Sequence, residues 1–162
     1  MDAALLDYAE PQAAKNLDFQ IACLDSITAQ ANRTLTVGLL MISGCFAGVS
    51  QFWGDPTRSA MSWGFGGAAV CLVVASTINV TRILSGRAVQ PPGVEPSILL
   101  EYAEDHTNEQ VRRASFEQIQ ERITLNREQG AKAGGSLKTV HQIMVYSPLA
   151  FLAAAAVGVA VR

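Results

Sequence analysis

Charge and apolarity are sorted along this chain into blocks. Three windows, Thr34–Gly54, Ser59–Thr81 and Thr139–Val161, hold 21, 23 and 23 residues and no Asp, Glu, Lys or Arg. An α-helix rises about 1.5 Å per residue and needs about 20 apolar residues to cross a hydrocarbon layer roughly 30 Å thick. Each window is therefore long enough to span. Ahead of the first, Leu17, Ile21, Leu24, Thr28, Ala31 and Leu35 recur at alternating four- and three-residue spacing, uninterrupted by Gly or Pro. That heptad-like stripe predicts one long helix running into the membrane.

Between the second and third windows the pattern changes. Pro91-Pro92-Gly93 breaks the chain, and Pro96 or Ser97 can open a new helix. No Gly or Pro follows until Gly130; Leu99, Tyr102 and His106, then Phe116, Ile119 and Ile123, fall at i, i+3 and i+7. Such a thin apolar stripe cannot stabilise a long helix alone, so it has to pack on residues 10–33 or on another subunit. Gly130, Gly134 and Gly135 are expected to loosen the join to the third window, and Pro148 lies within that window. The predicted organisation is a helical segment over 1–33, spans over 34–54, 59–81 and 139–161, and a charged helical segment over 82–138. The fold class is an all-α membrane protein with three transmembrane helices and long cytoplasmic helices.

Composition agrees with two solvents. The 162 residues are 49% hydrophobic and 16% charged, and the 95 residues outside the windows hold all 26 charges. A net charge of −2 leaves no strongly basic face for nucleic acid. Cys23, Cys45 and Cys71 are too far apart for a metal motif or a disulfide framework and read as small hydrophobes. The acidic, Pro-interrupted start is unlike a signal peptide, so the first window is expected to stay in the mature protein. Lys and Arg set the orientation: Lys15, Arg33 and eight more between Arg82 and Lys138 face only Arg58 and Arg162 on the other side. By the positive-inside rule the N-terminus and the 82–138 segment are cytoplasmic and the C-terminus is outside. Trp53 and Trp63 flank the Gly54-Asp55-Pro56-Thr57 turn, as expected at a membrane interface.

Hydrolase elbows, phosphate loops and dinucleotide glycines are absent, and His106 and His141 have no ligand set around them. The chain reads as a non-enzyme without cofactor or metal. Trp63-Gly64-Phe65-Gly66-Gly67 lies inside a span and reads as close helix packing. Gly44 and Gly48, with Gly67, Cys71 and Ala75 and the Ala153–Ala156 run with Gly158, form small faces for packing within or between chains. Gly44, Gly48 and the stripe through Leu17, Ile21 and Leu24 together motivate a homo-oligomer. Gln51, Asn79, Ser43, Ser50, Ser76, Thr77 and Ser147 are the polar residues of the spans and read mainly as glue between helices.

The order of a helix leading into a two-span hairpin, a charged helical segment and a third span resembles the transmembrane Pycsar effectors of bacterial anti-phage defence. Gln30-Ala31-Asn32 with Leu35 is similar to that family's K-A-x-x-L pattern, with Gln30 in place of the Lys, and Asn126 followed by Lys132 precedes the third span. The resemblance implies a bacterial inner-membrane effector that senses a cyclic pyrimidine mononucleotide, cUMP or cCMP, made by a partner cyclase, and then impairs the membrane. A cyclic mononucleotide carries one negative charge and one base, so its site needs a cation with a stacking surface. Arg112 and Arg113, one turn before Phe116, are the first candidates, with Glu109 expected to pair them when the site is empty. Asn32 and Arg33 at the membrane entry are the competing location.

The topology is checked in intact cells with single cysteines placed at Ala3, Thr57 and Arg162 in a background lacking the three native thiols. Membrane-impermeant reagent is expected to label only the second and third; labelling of Ala3 from outside overturns the orientation.

Overall fold

A computed structural model describes residues 3–55, 58–85 and 106–161. The expectations at Pro56, Thr57, Arg87, Pro91–Gly93, Pro96, Ser97, Leu99, Tyr102 and Arg162 lie outside the described residues. The described chain is helical: α1 (Ala3–Phe52), α2 (Ser59–Ile78) continued by a π-helical segment (Asn79–Leu84), and α3 (Asn108–Ala160). No strand occurs among the described residues. Three helices are long and apolar enough to cross a membrane, within Asp7–Phe52, Ser59–Leu84 and Asn108–Ala160. The protein is an all-α membrane protein.

The chain forms two compact units, one from residues 1–26 and 88–132, the other from 27–87 and 133–162. In the first, α1 and α3 run parallel, since Asp7 and Glu10 meet Arg112 while Leu24 lies 3.6 Å from where a Gly130 Cβ would stand. Ala13, Leu17 and Ile123 are buried, with Ile21, Phe116 and Ile119 packed on them. This is the pairing the thin stripe on the charged segment requires, and it lies within one chain. Full burial of a side chain such as Leu17 stabilises by about 1.5–3 kcal/mol.

The second unit is a three-helix bundle in which α2 runs against α1 and α3. The most apolar stretch of α2 is 33% buried against 11% for each of the other two, so α2 is the helix most enclosed by its neighbours. Ala31, Ala75, Ile83, Ala133, Leu137 and Val140 form its buried core. In lipid no hydrophobic drive brings helices together, so close approach at small residues has to do it. Glycines serve this role here by receiving rings. Added Cβ atoms would come within 2.6 Å of the Phe65 ring at Gly48, 2.8 Å of Phe151 at Gly64 and 2.8 Å of Trp63 at Gly158; at Gly67 the obstacle is Ala154 at 2.6 Å. The glycine-rich run in α2 is close packing, as its sequence suggests.

Gly44 and Gly48 do not act as a pair: Gly44 has no heavy atom within 4 Å of an added Cβ, whereas Gly48 is covered by Phe65 of its own chain. Leu17 and Leu24 are buried by their own chain as well, each 1% exposed. Intrachain packing thus occupies Gly48, Leu17 and Leu24 and leaves Gly44 open. The glue reading of the span hydroxyls also needs correcting. Ser43, Ser50 and Thr77 donate to carbonyls of their own helix, at Leu39, Ala47 and Val73. Asn79 alone among them bridges helices, donating from Nδ2 to the Ala31 carbonyl at 2.8 Å.

Boundaries differ in two places. The second helix runs past Thr81 to Leu84, where the chain widens to i→i+5 bonding, with the Ser85 amide donating to the Val80 carbonyl at 2.8 Å. Asn79 and Ile83, one turn apart, face inward together, both 0% exposed. The third helix is not loosened at Gly130, Gly134 or Gly135, and it also continues through Pro148. Proline removes the donor that would reach the Met144 carbonyl, and Ser147 Oγ donates to that carbonyl at 2.8 Å instead. At the link between α1 and α2, Gly54 has φ +84°, a backbone conformation that favours glycine.

The packing sorts the glycines for substitution. Gly44→Ala and Gly134→Ala, both with open space at Cβ, are expected to be neutral or stabilising by up to about 1 kcal/mol through helix propensity. Gly48→Ala and Gly67→Ala force a ring or a backbone to move and are expected to cost about 1–3 kcal/mol. Unfolding in detergent checks the ranking; equal effects at all four would sink this packing.

Candidate functional site

The two locations expected from sequence fall in different units and have different surroundings. Arg112 is already occupied. Its Nε and Nη2 grip both oxygens of Glu10, at 3.1 and 2.8 Å, and Nη2 also donates to Asp7 Oδ1 at 2.6 Å. Hydrogen bonds to Glu10 and then Asp7 push the guanidinium pKa further above its already high ordinary value. A two-point Arg–carboxylate pair has defined geometry, which a mobile point charge lacks. The result is a clamp between α1 and α3, in which a ligand phosphate has to displace two carboxylates.

Neighbouring residues are committed too. Arg113 donates to Glu117 on its own helix at 3.2 Å, both side chains being exposed. The pairing expected from Glu109 is therefore made by Glu117, and Arg112 turns to α1. Phe116 is half-buried against Ala13, Leu17 and Ile123, which removes it as a free stacking platform. In the other unit Asn32 and Arg33 are exposed, and the Asn32 carbonyl accepts from Thr36 Oγ1 at 3.0 Å. Of the residues expected to bind a ligand, Arg112, Arg113 and Phe116 belong to one unit, where each is engaged in its structure, and Asn32 and Arg33 belong to the other.

What periodicity could not reveal lies further along α3. Asn126 is 0% exposed, and neither its Nδ2 nor its Oδ1 has a hydrogen-bond partner; the nearby Gln129 Oε1 is also buried without one. Leaving a buried donor or acceptor unpaired costs about 1–3 kcal/mol per group, and native proteins seldom accept it. Asn126 sits three residues after buried Ile123 and four before Gly130, on the face turned toward α1. Arg122, half-buried, stands one turn earlier. The sequence does carry one trace of this position, since Asn126 is among the residues behind the family resemblance. Its burial could not be read there, because an Asn on a charged helix ordinarily faces water.

Among the described residues no group of three His, Cys, Asp or Glu could hold a metal ion, and the three cysteines are free and half-buried. No family model, no curated protein and no solved structure matches the chain.

The clamp has a direct test. Arg112→Ala is expected to speed amide hydrogen exchange around Asp7–Lys15 and Asn108–Phe116, and 1 M salt is expected to do the same in wild type by screening. Arg113→Ala, whose partner is on its own helix, should leave α1 exchange unchanged. Equal protection in Arg112→Ala and wild type would show that the clamp does not hold the helices.

Proposed function

We propose that this chain is a membrane effector of the Pycsar kind. It sits in a bacterial inner membrane with the N-terminus cytoplasmic and the C-terminus periplasmic, and it responds to a cyclic pyrimidine mononucleotide, cUMP or cCMP, supplied by a partner cyclase. The observation that carries this reading is the Asn126 side chain, a donor and an acceptor buried together with nothing bonded to either. A carboxamide is complementary to a pyrimidine edge in both cases: it accepts from N3–H and donates to a carbonyl of uracil, or accepts from N4–H and donates to N3 of cytosine. Gln129 adds a second amide three residues on, and Arg122 is the cation one turn before for the single phosphate charge. This site replaces Arg112, Arg113 and Phe116 as the first choice. Asn126 is 14 residues from Arg112 on α3, roughly 21 Å along the helix, so one mononucleotide cannot touch both.

The mechanism is a population shift. Asn126 and Gln129 raise the free energy of the closed pair of helices, while the apolar cluster around Leu17 and the Arg112 clamp lower it. A ligand favours the opened state only by the amount it binds that state more tightly. Because α1 and α3 also carry two of the spans, separating them changes the packing that seals the membrane segments.

Thermal stability of the purified protein with cUMP, cCMP and cAMP tests the reading. A pyrimidine nucleotide at about 100 times its Kd is expected to add about 2.7 kcal/mol, and cAMP nothing comparable. Asn126→Leu should raise the melting temperature of the free protein by several degrees, because it removes the unpaired amide, and should abolish the nucleotide response. A response retained in Asn126→Leu moves the site to Asn32 and Arg33. No response to any of the three nucleotides favours a ligand-independent structural or accessory membrane protein.

A further inference from the structure

A groove of about 430 Å³ opens between α1 and α3 in the three-helix unit, lined among others by Ile27, Gln30, Lys138, His141, Gln142 and Tyr146. That volume lies within the range of roughly 300–1,000 Å³ for small-molecule sites. No carboxylate lines the groove, and no ion pair to a described carboxylate is made by Lys138. The His141 ring is held by a hydrogen bond between its Nε2 and Thr34 Oγ1 at 3.0 Å. The polar lining is thus one cation, two carboxamides, an imidazole and a phenol, which together suit a phosphate ester and disfavour a cation.

Position selects the source of that phosphate. Lys138 is the last charged residue before the 23 uncharged residues of the third window, and the groove continues past it to Val145 and Tyr146. Those eight residues advance roughly 12 Å along the helix, from the charged boundary into the apolar stretch. Both end walls are exposed, Val145 at 72% and Tyr146 at 59%. A soluble anion has nothing to lay along them, whereas a glycerophospholipid carries its acyl chain directly below its phosphate. Basic pockets between spanning helices are suited to anionic headgroups, with a contribution of about 1 kcal/mol per cation.

We propose that this groove is a binding site for an anionic glycerophospholipid, with the phosphate at Lys138 and Gln30 and an acyl chain along Val145 and Tyr146. The site uses none of the residues assigned above to the nucleotide, and it stands or falls independently of that reading.

The probe is phosphatidylglycerol, compared with phosphatidylcholine, on the full chain in detergent micelles by native mass spectrometry. Phosphatidylglycerol adducts are expected to outlast phosphatidylcholine adducts, and Lys138→Gln is expected to reduce that preference about fivefold. Lys15→Gln, in the other unit, should leave it unchanged. Gly134→Leu is the second variant: Gly134 lines the groove with open space at its Cβ, so a side chain there fills the groove without touching a charge. It is expected to abolish the adduct while the melting temperature stays level or rises. Equal retention of both lipids, or wild-type retention in both groove variants, overturns the proposal. Displacement of the lipid by an equal concentration of glycerol 3-phosphate also overturns it, in favour of a soluble phosphate.

Discussion

The three-helix unit depends on rings seated where side chains are missing. Phe65 of α2 covers Gly48 of α1, Phe151 of α3 covers Gly64 of α2, and Trp63 of α2 covers Gly158 of α3. The rings also touch one another: Phe52 stacks on Phe65 with centroids 6.1 Å apart, and Phe151 meets Phe65 edge-on at 5.1 Å. Van der Waals contact is the main attraction available between helices in hydrocarbon, and it falls off within a fraction of an ångström of separation. A ring on a glycine supplies many such contacts at once; Phe65 ties α2 to α1, and Phe151 and Trp63 tie it to α3. The short link at Gly54 can then be brief, because the packing and not the loop sets how the helices meet.

Lipid dictates the polar chemistry of the spans just as strictly. A backbone carbonyl without a donor is costly there, so the donor lost at Pro148 is replaced by Ser147, and the hydroxyls of Ser43, Ser50 and Thr77 turn back to their own helix. Asn79 instead joins two helices, and it does so where α2 passes into the π-helical segment. Ala31, which accepts that bond, is itself 0% exposed; a longer side chain would hold α1 and α2 too far apart for the contact. The small residue in the Gln30-Ala31-Asn32 motif therefore has a physical reason beside its resemblance to a family pattern.

Much of this architecture was legible in the sequence because lipid and water select different residues so strongly. Charge-free windows marked the three helices that are long and apolar enough to cross a membrane, and the stripe from Leu17 to Leu35 foretold an unbroken α1. Local rules failed where tertiary packing outweighed propensity. Three glycines between 130 and 135 weaken an isolated helix, yet α3 runs through them, with Gly130 packed beside Leu24. The pairing of Arg112 was invisible for another reason: Asp7 and Glu10 lie more than 100 residues away in sequence, and only parallel docking of α1 and α3 brings them together. The same holds for the groove, whose Gln30 and Lys138 come from different helices.

Unpaired polar atoms have different consequences in the two units. In the bundle that carries the uncharged windows, exposing Asn79 to its surroundings brings no compensation, since hydrocarbon offers no hydrogen bond; its link to Ala31 therefore favours one arrangement. In the unit that carries the charged segment, separating α1 from α3 would let water satisfy Asn126 and Gln129 at once, recovering part of the cost of exposing Leu17 and Ile123. The Arg112 clamp bears on the same balance, because its half-exposed charges can be solvated when it breaks. Sequence composition thus sets where the molecule can yield. The bundle of uncharged windows gains nothing from opening at Asn79, while the charged unit combines an apolar stripe thin enough to part with buried amides that gain from parting.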